Sequence, residues 1–241
     1  MYETDLARIH HEGFGDVARA AAAVLLAHLQ GAGMNDGTVV DLGCGSGISA
    51  KILSEAGYDV LGIDLSAAML EIAAAQAPLA RFIRASILDT ELPAAVAVTA
   101  IGEIFNYRFD DRAGPTAFTR TARRIFQALK PGGIFLFDVA TPGRVVPNPR
   151  EQFRETPDWS IYFRVAEDPA TKTLTRDIVV FQRLDEFYRR SAERHELTLF
   201  SPVEIEAILH QVGFHSMMLT AYNDLTLGNG WIGFLARKPA R

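Results

Sequence analysis

The stretch that decides the fold runs from Val39 to Gly47 and reads Val-Val-Asp-Leu-Gly-Cys-Gly-Ser-Gly. Its apolar start is typical of the end of a buried parallel strand. The three glycines, at every second position, predict a tight turn whose backbone comes very close to a ligand. Residues 48–56 predict a helix, so the glycine loop lies at a helix N-terminus.

The main alternative for such a loop is a dinucleotide-binding turn, which needs Gly-x-Gly-x-x-Gly. Counted from Gly43, the third glycine of that pattern would fall on Ile48, whereas this chain has Gly47. Asp41, two residues before the first glycine, would repel a pyrophosphate but attract an ammonium group. The loop instead resembles the first motif of class I S-adenosylmethionine-dependent methyltransferases, an acid followed by Gly-x-Gly-x-Gly. A glycine-rich turn with a purely structural role is the remaining alternative.

This resemblance implies that S-adenosylmethionine is the cofactor and that S-adenosylhomocysteine is the product. The loop residues that the resemblance assigns to cofactor binding are Asp41, Gly43, Cys44, Gly45 and Gly47.

Asp64 ends the second predicted strand, about twenty residues beyond the glycine loop, the interval from which an acid can bind a ribose diol. A carboxylate accepts hydrogen bonds from both hydroxyl groups at once. In the family, the residues just after this acid flank the adenine, which makes Leu65 and Met69 candidates, although Met69 suits the core equally well. Asp89, preceded by Leu88, has the position of a family acid near the adenine amino group; a turn acid that caps the next segment is the alternative.

Residues 1–33 are predicted to be helical, and methyltransferases of this class often fold such a segment over the cofactor. Tyr2, Phe14 and Arg19 would then be lid contacts, with Arg19 as a candidate for the cofactor carboxylate. The alternative is that these residues only pack an amphipathic helix onto the domain. The adjacent His10 and His11 have no carboxylate or cysteine at a spacing that would complete a metal site, so no metal is expected.

The sequence LKPGGIFLFD, residues 129–138, closely matches the helix-turn-strand segment that follows the fourth motif of these methyltransferases. The strand before it, residues 96–101, precedes the polar residues Glu103, Asn106 and Tyr107. Open α/β sheets place their sites at the carboxyl ends of strands. Glu103 and Tyr107 are therefore candidates for catalysis.

The chain is predicted to be one α/β domain: a doubly wound, Rossmann-like seven-stranded sheet with a terminal antiparallel hairpin and an antiparallel β insertion over the cofactor face. Four segments are expected within this single methyltransferase domain. They are an N-terminal helical lid (1–33), a cofactor-binding core (34–140), a substrate-side β insertion (141–200), and a closing helix and hairpin (201–241).

A general base is required for an oxygen acceptor, whereas an amine acceptor could need none. The candidates are His195, Glu103 and Tyr107, with Tyr188 and His10 as further side chains of the right chemistry. Histidine is the usual general base near neutral pH, and His195 lies on a strand expected to face the pocket. A surface or packing role is the alternative for this histidine.

The composition restricts the class of function. With 241 residues, 49% hydrophobic content and a net charge of -5, the chain suits one compact domain. The sequence contains no Lys/Arg cluster of the kind that would favour nucleic-acid binding. Its single cysteine fits a reducing cytoplasm. The apolar run at residues 20–27 is too short to span a bilayer, so no membrane partner is expected.

The leading interpretation is a cytoplasmic enzyme that methylates N or O of a small molecule, as a monomer or homodimer. The alternatives are a methyltransferase of tRNA or protein, and a non-catalytic protein that retains the cofactor-binding fold.

Overall fold

The computed structural model describes residues 2–240, so Met1 and Arg241, the outer ends of the predicted lid and closing segments, lie outside the described part. The helices of this part are α1 (Thr4–Gly13), α2 (Asp16–Gly31), α3 (Ile48–Glu55), α4 (Ala67–Gln76), α5 (Pro115–Ala128) and α6 (Pro202–Val212). The strands of the central sheet are β1 (Thr38–Leu42), β2 (Asp59–Asp64), β3 (Arg81–Arg84), β4 (Ala95–Ala100), β5 (Leu129–Ala140), β10 (His215–Leu219) and β13 (Trp231–Arg237). The remaining strands are β6 (Arg150–Glu155), β7 (Trp159–Asp168), β8 (Thr173–Leu184), β9 (Phe187–Thr198), β11 (Ala221–Tyr222) and β12 (Leu225–Thr226).

The seven-stranded sheet has the order β10-β13-β5-β4-β1-β2-β3. Strands β1 to β5 pair in parallel, and β13 pairs antiparallel with both β5 and β10. The chain moves outward from β1 through β2 to β3 and then returns to the other side of β1 with β4. This reversal is the topological switch point beside which open α/β sheets bind ligands. The predicted fold class is confirmed, including the terminal antiparallel pair.

The sheet is buried on both faces, which explains the nearly continuous apolar runs of its central strands. One face packs under α5 and α6 through Val40, Phe135 and Phe137, while the other packs under α2 and α3 through Val39 and Leu136. All five side chains have no solvent-exposed surface. Each side chain of this size contributes about 1.5–3 kcal/mol when fully buried, so the sheet is a rigid support for the loops at its carboxyl edge.

The insertion forms a separate antiparallel sheet of order β6-β7-β8-β9. Runs rich in aromatic and β-branched residues at 159–165, 173–183 and 187–199 predict its last three strands. The sequence does not predict β6, because Arg-Glu-Gln-Phe-Arg-Glu has no apolar alternation to indicate a strand. The inner face of the sheet packs on α1, where Leu6 and Ile9 meet Trp159, Ile161 and Ile178. The insertion and α1 therefore share a small apolar core of their own.

Two other local differences from the sequence-based prediction concern turns. The predicted turn at residues 130–133 is part of β5, with a register irregularity against β4. The short β11–β12 hairpin lies between the two closing strands and was not predicted. Both segments are too short for a periodic pattern to show them.

Candidate active site

The glycine loop follows β1 and has the left-handed backbone that its sequence predicts. Gly43, Gly45 and Gly47 have φ angles of 66, 51 and 78°. The Gly43 and Cys44 N–H groups both donate to the Ile63 carbonyl, at 2.7 and 3.1 Å, which ties the loop to β2. The three positions are not equivalent, because a Cβ on Gly47 would lie 3.0 Å from the Ala73 backbone, whereas one on Gly45 would meet only Met69 Sδ, at 3.9 Å. Gly47 therefore lets α3 and α4 approach each other, and Gly45 borders open space suited to a ligand.

Asp64, at the end of β2, organises the centre of this loop. Its Oδ2 accepts the Gly45 N–H at 2.9 Å, and its Oδ1 accepts the Ser66 N–H at 2.8 Å. Burial raises the pKa of Asp64, while these backbone N–H groups oppose the increase. A carboxylate has about four lone-pair sites, so acceptor capacity remains for a ribose diol.

Asp41 lies deeper, beneath the loop. It is the register partner of Thr99 on β4, and the Thr99 hydroxyl donates to Asp41 Oδ1 at 2.7 Å. Burial raises the pKa of Asp41 to about 7, although the Thr99 hydrogen bond opposes this shift. A nearby cation favours the ionised form of such a buried carboxylate. Asp41 is therefore a suitable partner for a positively charged group.

A cavity of about 90 Å³, here called the inner cavity, opens beside Asp64. It brings together Gly43, Asp64, Leu65 and Leu88 of the predicted cofactor residues. Tyr2, Ser66, Ser86, Ile87 and Asp110 also line it, and its remaining walls come from residues 104–118. The chemistry of this lining suits an adenosine group: the carboxylate can accept ribose hydroxyls, and the apolar walls can flank an adenine ring.

Other predicted cofactor residues do not line the inner cavity. Asp89 is exposed and pairs with Arg112, with 2.6 Å between Asp89 Oδ2 and Arg112 Nη2, and it is absent from the lining of the inner cavity. Met69 and Cys44 are buried beside the loop rather than in the cavity. Arg19 forms an exposed ion pair with Asp16, at 2.8 Å between Arg19 Nη2 and Asp16 Oδ1, and lines neither of the two cavities.

A second cavity of about 550 Å³, here called the outer cavity, lies between the sheet edge, the N-terminal helices and the insertion. Phe14, Glu103 and Tyr107 of the predicted residues line it, together with His10 and three arginines, Arg144, Arg150 and Arg176. Tyr2 and Tyr107 line both cavities, so the two are adjacent and share these rings as a wall.

Glu103 is the most constrained residue of the outer cavity. Its φ is 63°, a conformation that costs a non-glycine residue about 1–2 kcal/mol. Asp138 on β5 holds this turn, because its Oδ1 accepts the N–H groups of Gly102 and Glu103 at 3.1 and 2.6 Å. Burial raises the pKa of Asp138 to about 6.

The Glu103 carboxylate binds two guanidinium groups. Arg144 Nε lies 2.7 Å from Oε1, and Arg176 Nη2 donates to Oε2. Burial alone would raise the pKa of Glu103, but Arg176 and Arg144 lower it overall. Glu103 is therefore an ionised anchor for the two arginines and a poor proton acceptor.

The tyrosine pair extends this network. Arg176 Nη1 donates to Tyr107 Oη at 2.8 Å, and the hydroxyls of Tyr107 and Tyr2 lie 3.1 Å apart. Tyr2 is also held by its backbone, since its carbonyl accepts the Ser66 hydroxyl at 2.6 Å. Burial raises the pKa of Tyr2, which keeps its hydroxyl protonated at neutral pH.

His195 lies on the inner face of β9, but it lines neither cavity. Its side chain is fully buried against the rings of Tyr2 and Phe109, both 5.0 Å away between centroids. Its Nε2 lies 2.8 Å from Glu193 Oε2. The expectation that this residue faces the pocket is therefore wrong: aromatic rings cover it.

The two adjacent N-terminal histidines have different surroundings. His10 lines the outer cavity, and burial lowers its pKa to about 4, so the ring is neutral at physiological pH. His11 connects α1 to the cofactor loop, with Nδ1 2.9 Å from Ser46 Oγ and Nε2 2.9 Å from Gln76 Nε2. Within residues 2–240, no group of three or more His, Cys, Asp or Glu side chains is arranged to hold a metal ion.

Sequence reasoning missed the arginines of the outer cavity, although two had a recognisable signal. Arg144 follows the carboxyl end of β5, the edge where open sheets place their sites. Arg176 occupies an inward position between Leu174 and Ile178, where the alternation of β8 calls for an apolar residue. Arg150 had no such signal, because β6 itself was not predicted.

Comparisons with known proteins agree with this geometry. Residues 39–133 match a family model described as a methyltransferase domain. YqeM of Bacillus subtilis (strain 168), named as a methyltransferase, is 28% identical over 195 residues, which cover 77% of this chain and 76% of YqeM.

Two solved structures share the fold over nearly the whole chain. An S-adenosylmethionine-dependent methyltransferase from Clostridium acetobutylicum ATCC 824 has a TM-score of 0.82 at 19% identity and covers 97% of both chains. The sugar N-methyltransferase KedS8 from Streptoalloteichus sp. ATCC 53650 has a TM-score of 0.78 at 18% identity, covering 99% of this chain and 95% of KedS8.

Together with the acidic glycine loop and the seven-stranded sheet, these matches support an S-adenosylmethionine-dependent methyltransferase whose fold is that of class I. S-adenosylmethionine is its cofactor. The open space beside Gly45 and the carboxylates of Asp41 and Asp64 fit that cofactor. None of the helices within residues 2–240 is long and apolar enough to cross a membrane.

Proposed function

We propose that this methyltransferase transfers the methyl group to a nitrogen or oxygen atom of a small molecule bound in the outer cavity. One observation carries the proposal: the outer cavity, of about 550 Å³, adjoins the inner cavity through Tyr2 and Tyr107. Its volume lies within the range of small-molecule sites, about 300–1,000 Å³. The similarity of the fold to that of a sugar N-methyltransferase supports the same class of acceptor.

In this proposal the cofactor lies along the glycine loop. Asp64 accepts the ribose hydroxyls, Leu65 and Leu88 flank the adenine, and Asp41 faces the ammonium group. Gly45 provides the close backbone approach, while Cys44, Gly47 and Met69 support the loop from behind. Phe14 belongs to the acceptor side. Asp89 and Arg19 would need to leave their ion pairs to take part.

S-adenosylmethionine supplies an already activated methyl group, so the protein must chiefly orient the acceptor about 3 Å from it. Tyr107 lies between the cavities and is the side chain best situated to receive a hydrogen bond from the acceptor. Neutral His10 is a second hydrogen-bond acceptor on the lid side. Glu103 holds Arg144 and Arg176 in place, and His195 positions the rings of Tyr2 and Tyr107 rather than contacting the acceptor.

A calorimetric titration with S-adenosylmethionine, S-adenosylhomocysteine and NAD tests the cofactor half of this proposal. Micromolar binding of the two sulfur compounds, without binding of NAD, is expected. Incubation with S-adenosylmethionine and panels of amines, phenols and carboxylates, followed by measurement of S-adenosylhomocysteine, tests the acceptor half. Transfer to tRNA or protein but to no small molecule would contradict the proposed acceptor class.

A further inference from the structure

We infer that the acceptor carries an anionic group, a carboxylate or a phosphate, which binds to arginines of the outer cavity. This inference rests on the proposed function, because it names the chemistry of the molecule that the same cavity takes. It follows from the charges that line the cavity and from the position of Arg150, which is exposed at the rim.

The charged residues of the outer cavity are unequal in number. Arg144, Arg150 and Arg176 line it, against the two carboxylates of Asp16 and Glu103. Asp16 already pairs with Arg19, a residue outside the lining. Among the described residues that line the cavity, Glu103 is therefore the carboxylate that pairs with the cavity arginines.

Two of these arginines share a single carboxylate. The side chains of Arg144 and Arg176 are only 20% and 18% exposed, and the Glu103 side chain between them is 4% exposed. Asp138, which is buried behind this turn and accepts the Gly102 and Glu103 N–H groups, adds a second carboxylate, so the charges of the buried group balance at neutral pH. Removing charges from water is costly unless opposite charges compensate them, so the charge left for a bound anion is that of the third arginine, Arg150.

Arg150 lies on β6 and contributes a further positive charge. Within the part of the chain that the structure describes, no carboxylate forms an ion pair with its guanidinium group. Its polar neighbour is the neutral amide of Gln152, whose oxygen, when turned toward Arg150, lies 2.6 Å from Nη2 and 3.1 Å from Nε. Gln152 also lines the cavity.

The chemistry of this group selects an oxyanion. A guanidinium group presents a planar set of N–H donors that matches the oxygens of a carboxylate or phosphate, and the Gln152 amide adds two donors. A purely cationic acceptor, such as a polyamine without an acidic group, would be repelled by the uncompensated charge of Arg150. An amine or hydroxyl acceptor that also carries an anionic group satisfies both the methyl transfer and the charge of the cavity.

Calorimetry on the full chain saturated with S-adenosylhomocysteine tests the inference. The anionic probes are inorganic pyrophosphate and succinate. Succinamide is the uncharged counterpart of succinate, and putrescine is a dicationic probe. We expect at least one of the two anions to bind and the neutral and cationic probes not to bind. The ratio between pyrophosphate and succinate separates a phosphate-bearing acceptor from a carboxylate-bearing one.

Two matched variants locate the binding. Arg150→Gln should weaken anion binding by at least about tenfold, the loss expected from one charge-assisted hydrogen bond. Arg164→Gln removes the same charge from the adjacent strand, where Arg164 pairs with Glu151 outside the cavity lining, and should bind the anion as the wild type does. Both variants should bind S-adenosylhomocysteine normally.

The outcomes separate the two levels of the argument. Failure of S-adenosylhomocysteine to bind the folded protein would overturn the proposed function. Normal binding of S-adenosylhomocysteine without any anion binding would overturn only the inference about the acceptor. An equal loss of anion binding in Arg164→Gln and Arg150→Gln would also overturn the inference. So would an anion that binds only in the absence of S-adenosylhomocysteine, because that anion would then occupy the position of the cofactor's carboxylate.

Discussion

Replacing Asp64 by alanine isolates the side chain on which the proposed cofactor site depends. In the structure its two oxygens accept the N–H groups of Ser66 and Gly45, at 2.8 and 2.9 Å, and they retain lone pairs on the side of the inner cavity. A ribose diol would add two hydrogen bonds to this charged acceptor. Each such bond contributes about 1.5–3 kcal/mol, so their loss should total about 3–6 kcal/mol. The affinity for S-adenosylmethionine should therefore fall by about 10²- to 10⁴-fold.

The effect on folding should be much smaller than the effect on binding. Burial raises the pKa of Asp64, so the ionised side chain is less favourable in the folded protein than in the unfolded chain at neutral pH. Its removal relieves that cost, which offsets part of the loss of the Gly45 and Ser66 hydrogen bonds. Denaturant unfolding of Asp64→Ala should thus remain cooperative, with a smaller change in free energy than calorimetry shows for binding.

Asp59→Ala is the matched control for this experiment. Asp59 lies at the start of the same strand, β2, and pairs at the surface with Arg81, at 3.0 Å between Asp59 Oδ2 and Arg81 Nη2. Such exposed pairs contribute about 0–1 kcal/mol, so this variant should bind the cofactor as the wild type does. The reasoning is refuted if folded Asp64→Ala binds S-adenosylmethionine within threefold of the control.

The remaining predictions concern the loop, its buried acid and the outer cavity. Gly45→Val should abolish cofactor binding in calorimetry, because the side chain would fill the open space and strain a φ of 51°; normal binding would remove the loop from the site. Because the pKa of Asp41 is raised to about 7, the ionised fraction of this carboxyl, and with it the cofactor affinity, should rise about eightfold from pH 6.0 to 7.5. The contribution of Asp41 to folding stability should fall as the pH rises from about 4 to 7. Asp41→Asn should lose both dependences. Glu103→Gln should destabilise the protein by about 3–5 kcal/mol in urea unfolding, since two buried guanidinium groups lose their anion, whereas the same change at the exposed Glu196 should have little effect. His195→Ala should lower kcat more than cofactor affinity because it loosens the tyrosine wall, and an unchanged rate would exclude even a positioning role.

The cofactor half of the site could be predicted from the sequence because its determinants are local. Asp41, the three glycines and Asp64 lie at the ends of two parallel strands that pair in register, Leu42 with Ile63. Strand ends, glycines and acids are all visible at fixed spacings in the sequence. Asp89 shows where this reasoning stopped, since it has the expected position in the chain but pairs with Arg112 at the surface.

The acceptor half could not be predicted in the same way because its contacts join distant segments. Arg176 and Glu103 meet across 73 positions of sequence, and Arg144 and Glu103 across 41. The sequence places His195 on a strand expected to face the pocket, but it could not show that Tyr2, near the N-terminus, covers this residue. Tertiary packing decides which of the inward side chains reaches a cavity. The two-residue period of a strand shows only which side chains share a face.

The N-terminal segment explains why the two halves form one site. Tyr2 lines both cavities. Its carbonyl accepts a hydrogen bond from the Ser66 hydroxyl beside Asp64, and its hydroxyl contacts that of Tyr107. His11, on α1, contacts Ser46 of the glycine loop. Each of these links is a polar contact worth about 0.5–1.5 kcal/mol, small beside the apolar burial that holds the sheet together. The N-terminal segment thus has contacts with both halves of the site, in addition to the apolar core that α1 shares with the insertion. We therefore expect a substitution in one half to affect the other through this segment.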